Sequence, residues 1–398
     1  MQPIRTYRHV RDVPQLTDAE VRKLSVIEEK FAFRANSYYL SLIDWNDPND
    51  PLRKLVIPTM SELNQEGDLD ASREADYTVA RGLQHKYSDT ALMLVAETCD
   101  SYCRYCFRKR LTMRRSDEIA MDPTDALAYI REHGEIQNVL LTGGDPLTLA
   151  TGRLKRILAE LSEMEHVRAV RIGTRIPAFR PQRILDDPAL IDLLRNYSHP
   201  DRRIYIMAHF SHPRELTTKA RRAIRQIKET GCEIMNQCPI IRGVNDNGTV
   251  LHELFMNLMA SGVHPYYLFI NRPTRGNQSF SLPIVEVWRI LMEAIHSLPG
   301  LASTVRLVLS HHTGKLEVTG VDHDFIHLRY HRAAHPINHG RHLICQRNDL
   351  AVWFDELQEV HPHPSHRDRH DPTRTLMTRI PMRLDRPFHH TKQNSREN

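Results

Sequence analysis

Three cysteines fall close together in Cys99-Asp-Ser-Tyr-Cys103-Arg-Tyr-Cys106, spaced C-x3-C-x2-C. They follow an apolar run, Ala91-Leu-Met-Leu-Val-Ala96, that reads as a buried strand. Three thiolates on one loop can hold three irons of a cubic [4Fe–4S] cluster. The fourth iron then has no protein ligand and stays open to a small molecule. Such clusters usually take four cysteines, so three point to a reactive site more than to simple electron carriage. The rival reading is structural zinc. It wants four closed ligands, with a second pair at matching spacing, and none follows here.

At 398 residues the chain can bury one large barrel with extensions. Its 54 basic and 49 acidic residues leave a net charge of +5, spread along the chain. That mild excess does not call for nucleic acid; a nucleotide cofactor or an anionic substrate accounts for it equally well. Six cysteines are too few for a disulfide scaffold. The first ten residues have no apolar signal-peptide core, and no apolar run approaches the roughly 20 residues of a membrane span. The expected location is therefore the reducing cytoplasm.

Periodicity divides the chain into four stretches. Residues 1–88 read as a mostly helical N-terminal extension, with a capped helix start at Thr17. Within it, 44–58 carries three prolines and reads as a fixed loop rather than a helix. Residues 89–300 alternate strands with amphipathic helices. Strands are expected at 138–142, 168–173, 203–208, 232–236 and 265–270, and another at 304–309. Helix faces stand between them, such as Leu154, Ile157, Leu158 and Leu161. This alternation predicts an α/β fold built on a parallel sheet, best drawn as a partial (β/α) barrel with its functional loops at the strands' C-terminal ends. Residues 301–335 hold a final strand and the lysine segment Ser310-His-His-Thr-Gly-Lys315. Residues 336–398 are rich in His, Arg and Pro and read as an irregular, partly disordered tail. Cys232, Cys238 and Cys345 read as ordinary buried cysteines.

The cysteine spacing after a first strand, with Tyr105 just before the third cysteine, resembles the radical S-adenosylmethionine (SAM) superfamily. Asp47-Pro-Asn-Asp-Pro-Leu-Arg-Lys-Leu-Val-Ile-Pro58 is similar to the segment that precedes the barrel in lysine 2,3-aminomutases, which narrows the resemblance to that branch. It implies a [4Fe–4S] cluster on Cys99, Cys103 and Cys106, with SAM on the open iron. Gly143-Gly144-Asp145-Pro146 matches the motif that contacts SAM's amino group, although an ordinary turn capped by Asp145 reads the same way. Arg175, His209 and Gln237 fall in segments similar to the family's cofactor-binding strand ends.

Tyr87 matches a tyrosine that holds pyridoxal 5′-phosphate (PLP), but the family's nearby arginine is Thr90 here. Lys315 matches the catalytic lysine that bonds PLP, with only Gly314 left of a glycine-rich loop. Alone, a Lys beside a Gly could equally be a solvated hairpin turn. The implied reaction moves an amino group from Cα to Cβ of an amino acid through a 5′-deoxyadenosyl radical and a PLP imine. A small-molecule amino-acid substrate and a reductant such as flavodoxin or ferredoxin follow, and a homo-oligomer is compatible. Other readings stay open: a PLP-independent radical SAM enzyme, or an iron–sulfur regulatory protein that binds nucleic acid.

Arg108 matches the arginine that pairs the substrate carboxylate. Lysine mutases hold the distal ammonium with two aspartates, where this chain has Asn271-Arg272-Pro273 and Ser310-His311-His312. Losing one partner of a buried ion pair costs about 3–5 kcal/mol, and Arg272 suits an anionic or neutral group instead. Lysine is therefore expected to be a poor substrate beside glutamate-like or uncharged amino acids. Steady-state assays check this, and efficient turnover of lysine would overturn it.

Overall fold

In the computed structural model, residues 3–113 and 118–360 are described. Two short strands of the extension, β1 (Thr6–Tyr7) and β2 (Ala35–Asn36), pair with each other. The other twelve form one sheet in strict chain order. They are β3 (Thr78–Ala80), β4 (Leu83–Tyr87), β5 (Thr90–Ala96), β6 (Asn138–Gly143), β7 (Ala169–Thr174), β8 (Arg203–Ala208), β9 (Glu233–Pro239), β10 (His264–Phe269), β11 (Arg306–His311), β12 (Gly314–Val321), β13 (Phe325–Ala333) and β14 (His342–Gln346). β5 to β11 run parallel. Antiparallel strands extend the sheet at both ends.

Helices cross between the parallel strands, among them Thr151–Ser162, Thr218–Lys228 and Gly248–Ala260. The expected face Leu154, Ile157, Leu158 and Leu161 is buried against the sheet. Strand alternation sorts the other side. On β7, Val170 and Ile172 join this apolar core, while Arg171 and Gly173 line the barrel's interior cavity.

No main-chain ladder joins the two ends of the sheet. Side chains close the gap. Lys86 Nζ donates to the His311 carbonyl at 2.6 Å and Tyr77 Oη to the His312 carbonyl at 2.7 Å. Arg332 of β13 pairs with Asp89, beside β4.

The extension's first α-helix, Asp18–Glu28, is capped by a reciprocal Thr17–Glu20 box. Two parts of it depart from expectation. Pro51–Val56 is a short helix, because Asp50 caps the Leu52 and Arg53 amides and proline suits a first helical position. Its last strands, β3 and β4, belong to the barrel sheet. Its apolar residues form a second core that takes in Tyr105, Phe179 and Phe280 of the barrel.

The C-terminal stretch also differs in its first part. β14 pairs with β13, burying Leu343 and Cys345 on alternate positions, and 358–360 bond its outer edge through Val360 N to Ile344 O and Gln346 N to Gln358 O, both 2.8 Å. Its His- and Arg-rich composition hides a period-two pattern. The histidine run 361–370 lies outside the described residues. Among the described residues no helix is long and apolar enough to cross a membrane.

The cysteine loop is tied to the extension by Arg104. Its guanidinium grips the fully buried Glu62 carboxylate at 2.8–3.1 Å and donates to the Ala32 carbonyl. Glu62→Ala strands that cation, so a loss of about 3–5 kcal/mol is expected, measured by urea or thermal unfolding.

Candidate active site

A cavity of about 550 Å³ opens at the C-terminal ends of the parallel strands, and every site residue named from the sequence lines it. At one end stands the cysteine loop. The three thiols are free, and Arg175 Nη1 donates to Cys103 Sγ at 3.0 Å. The turn after β6 lies directly against this loop. Gly144 N–H donates to the Ala96 carbonyl at 2.6 Å and Asp145 N–H to the Thr98 carbonyl at 2.9 Å. A β-carbon on Gly144 would press into the Thr98 carbonyl, so only glycine fits.

Asp145 is turned into the fold. Its carboxylate accepts from Thr174 Oγ1 and from the Leu147 and Arg175 amides at 2.7–3.0 Å. A carboxylate offers about four lone-pair sites, and these three donors take up most of them. Asp145 thus caps a turn as well as lining the cavity where acceptance from an ammonium is expected. Burial pushes the group up to about 6, against those hydrogen bonds.

Arg175 also pairs with the buried Glu215 and donates to Tyr105 Oη. His209 Nε2 meets the same hydroxyl at 2.9 Å. Burial, helped by Arg175, holds that imidazole well below its usual range, so it is neutral. Gln237 lines the cavity with no hydrogen bond among the described residues. Also among these, no three His, Cys, Asp or Glu side chains converge as for a single metal ion. A cubic cluster asks for one thiolate per iron, and three free thiols on one loop facing one cavity fit that.

Lys315 stands at the other end. It follows a tight turn in which His311 pairs with Gly314 and Ser310 with Lys315. A β-carbon at Gly314 would collide with the Arg332 carbonyl. Lys315 Nζ makes no hydrogen bond or ion pair among the described residues. It lies over the rings of Tyr87 at 5.4 Å and Tyr267 at 5.9 Å. Burial first, then Arg171, Lys86, Arg272 and Arg332, hold its pKa well below the ordinary lysine range.

The other cations at this end are partly unbalanced. Lys86 is brought down to about 7 and Arg272 to about 10, in each case chiefly by burial. Arg272 stacks on Phe107 at 3.6 Å and donates to Ser72 Oγ at 2.7 Å. Arg171 donates to Asn138 Oδ1 at 2.8 Å. Among the described residues none of these three has an ion pair. An aldehyde-bearing phosphate fits such a place: an amine able to react, an aromatic face, and cations lacking an anion.

Arg108, expected to pair a substrate carboxylate, lines the cavity and is already engaged within the protein. Its Nε and Nη2 grip Glu74 at 2.6–3.0 Å, and Nη1 donates to Thr142. Burial pushes the Glu74 carboxyl up, but Arg108 and Arg110 outweigh it and hold the group down at about 2. Thr90 donates to Asp89, whose carboxylate also takes Arg332.

Sequence reasoning missed Glu74, Lys86, Arg171 and Arg332. Arg171 had a signal, a charge alternating with Val170 and Ile172. Glu74 had none, because it reaches the site from an irregular segment of the extension.

With this geometry in hand, the comparisons are specific. Residues 93–254 match the model of the Radical SAM superfamily. The chain is 49% identical over 349 residues to a putative L-lysine 2,3-aminomutase of Aquifex aeolicus, covering 87% of this chain and 93% of that protein. It is 38% identical to L-lysine 2,3-aminomutase of Clostridium subterminale, over 71% of this chain and 67% of that one. It is 36% identical to glutamate 2,3-aminomutase of Clostridioides difficile, over 68% and 63% respectively.

The lowered pKa of Lys315 has a direct readout. A lysine shifted downward loses its proton at a lower pH than ordinary lysines, whose pKa is about 10.4. Competitive acylation followed by peptide mapping should find Lys315 reacting at a pH well below the surface lysines. Reactivity that titrates together with theirs would refute the placement.

Proposed function

The chain belongs to the lysine 2,3-aminomutase family of radical SAM enzymes, and from that premise we propose that Lys315 and the three cysteines mark the two ends of one aminomutase site. The enzyme is a radical SAM isomerase of the 2,3-aminomutase type. A [4Fe–4S] cluster held by Cys99, Cys103 and Cys106 would, with SAM, supply radical chemistry, and PLP held at Lys315 would supply imine chemistry for the amino group.

The protein's part is to hold these groups apart at a fixed distance and keep water out. Cys99, Cys103 and Cys106 hold the cluster. The Gly143–Gly144 turn, fixed by Asp145, brings main-chain groups to SAM, with Arg175, His209 and Gln237 on the adjoining strand ends. Lys315 offers its amine as a nucleophile, favoured by a pKa held below the ordinary lysine range. Tyr87 offers a ring face, and Arg171, Lys86 and Arg332 supply positive charge for a phosphate where Thr90 cannot. Arg272 takes a substrate carboxylate. Arg108 contributes there through the N–H groups that Glu74 leaves free. A low-potential carrier such as flavodoxin or ferredoxin provides the electron, in a reducing compartment such as the cytoplasm.

One observation carries this reading: a half-buried lysine amine, unpaired among the described residues, and three free thiols share one cavity. The test is anaerobic reconstitution with iron, sulfide and PLP, then borohydride and peptide mass mapping. A pyridoxyl adduct on Lys315 is expected. SAM cleavage with no adduct there would remove the aminomutase mechanism and leave radical chemistry without PLP.

A further inference from the structure

Each arginine of segment 99–110 is balanced by a carboxylate. Arg104 pairs with Glu62, Arg108 with Glu74, and Arg110 with Glu74 and Glu118. Arg175, which donates to Cys103, is balanced by Glu215. Lys109 is not. Its side chain belongs to a residue only 5% exposed, and its Nζ has no hydrogen-bond partner among the described residues. It lies over the Phe31 ring at 4.4 Å. Glu62, an acid that acts on it, already gives both oxygens to Arg104. Lys109 lines a small cavity of about 40 Å³ together with Cys99, Cys103 and Cys106. A buried cation without an anion is strongly disfavoured, so the missing partner is to be sought in that cavity.

We infer that Lys109 is the counter-charge of the iron–sulfur cluster and sets its reduction potential, an inference that rests on the three-cysteine cluster proposed above. With three thiolates, the oxidised [4Fe–4S] core carries one net negative charge. One electron from a low-potential carrier makes that two, and no proton moves. A fixed ammonium behind the loop stabilises the reduced form more than the oxidised one, and so raises the potential. Arg175 cannot do the same through its charge, because Glu215 cancels it. Lys109 touches no reacting atom; it is a positioning residue for charge.

The experiment is potentiometric titration, followed by electron paramagnetic resonance, of reconstituted wild type, Lys109→Gln and Lys109→Arg. At a fixed potential, Lys109→Gln should show a roughly tenfold lower ratio of reduced to oxidised cluster, about 59 mV for one electron. Lys109→Arg should stay near wild type. A Lys109→Gln potential equal to wild type overturns the inference, as does an equal fall in Lys109→Arg. If Lys109→Gln takes up no iron, a Lys109→Arg protein that loads and titrates normally still supports a role for the charge. Failure of both variants assigns the residue to packing and overturns it. A wild type that binds no cluster at the three cysteines would sink the site reading itself, and this inference with it.

Discussion

The closeness of two strand ends governs the rest of the site. The turn after β6 bonds through its own backbone to the last residues of β5 and to the start of the cysteine loop. Side chains are excluded from that contact at Gly144, so the distance is set by main-chain hydrogen bonds alone. Everything reactive at this end is then positioned by chain order. Asp145 follows the glycines and caps the next turn, and its other bonds reach Thr174 and the Arg175 amide at the end of β7. Arg175 in turn reaches Cys103. Three neighbouring strand ends are thereby locked into one constellation by a few short bonds.

The opposite end follows a different logic. There the chain places basic side chains in a buried space and leaves several without a carboxylate partner among the described residues. Such charges are tolerated in a fold only where something else balances them. Lys315 responds by shedding its proton readily, and Arg272 by spreading its charge over Phe107. The cavity thus differs along its length, with thiols and carboxylate-paired arginines at one end and amines and guanidinia lacking an ion pair among the described residues at the other.

Much of this was legible in the sequence. The helix faces and parallel strands followed from periodicity, since apolar spacing reports directly on which side is buried. The cysteines stood out by their spacing, whereas Gly143–Gly144 and Lys315 were singled out by their resemblance to the family's motifs. What could not be read were pairings across long separations. Arg108 looked free because Glu74, its partner, comes from a stretch without period or motif. Asp145 looked available because a lone Asp does not reveal how many amides surround it. The Pro51–Val56 helix was mistaken for a loop because prolines were read as breakers, when one of them sits where a helix begins. β14 was overlooked because it is short and lies in a His- and Arg-rich stretch, with Ile344 on its exposed side blurring the alternation of Leu343 and Cys345.

The seam between β4 and the β11–β13 hairpins gives the fold one wall of a different kind. Elsewhere around the barrel, neighbouring strands are fastened by ladders whose bonds do not depend on which side chains they carry. At the seam the closure is made by Lys86, Tyr77 and Arg332 themselves. The wall beside Lys315 is thus written in replaceable letters. Substitutions there can reshape the space offered to a substrate while every strand keeps its partner, so a family with this architecture can change what it accepts without rebuilding the barrel.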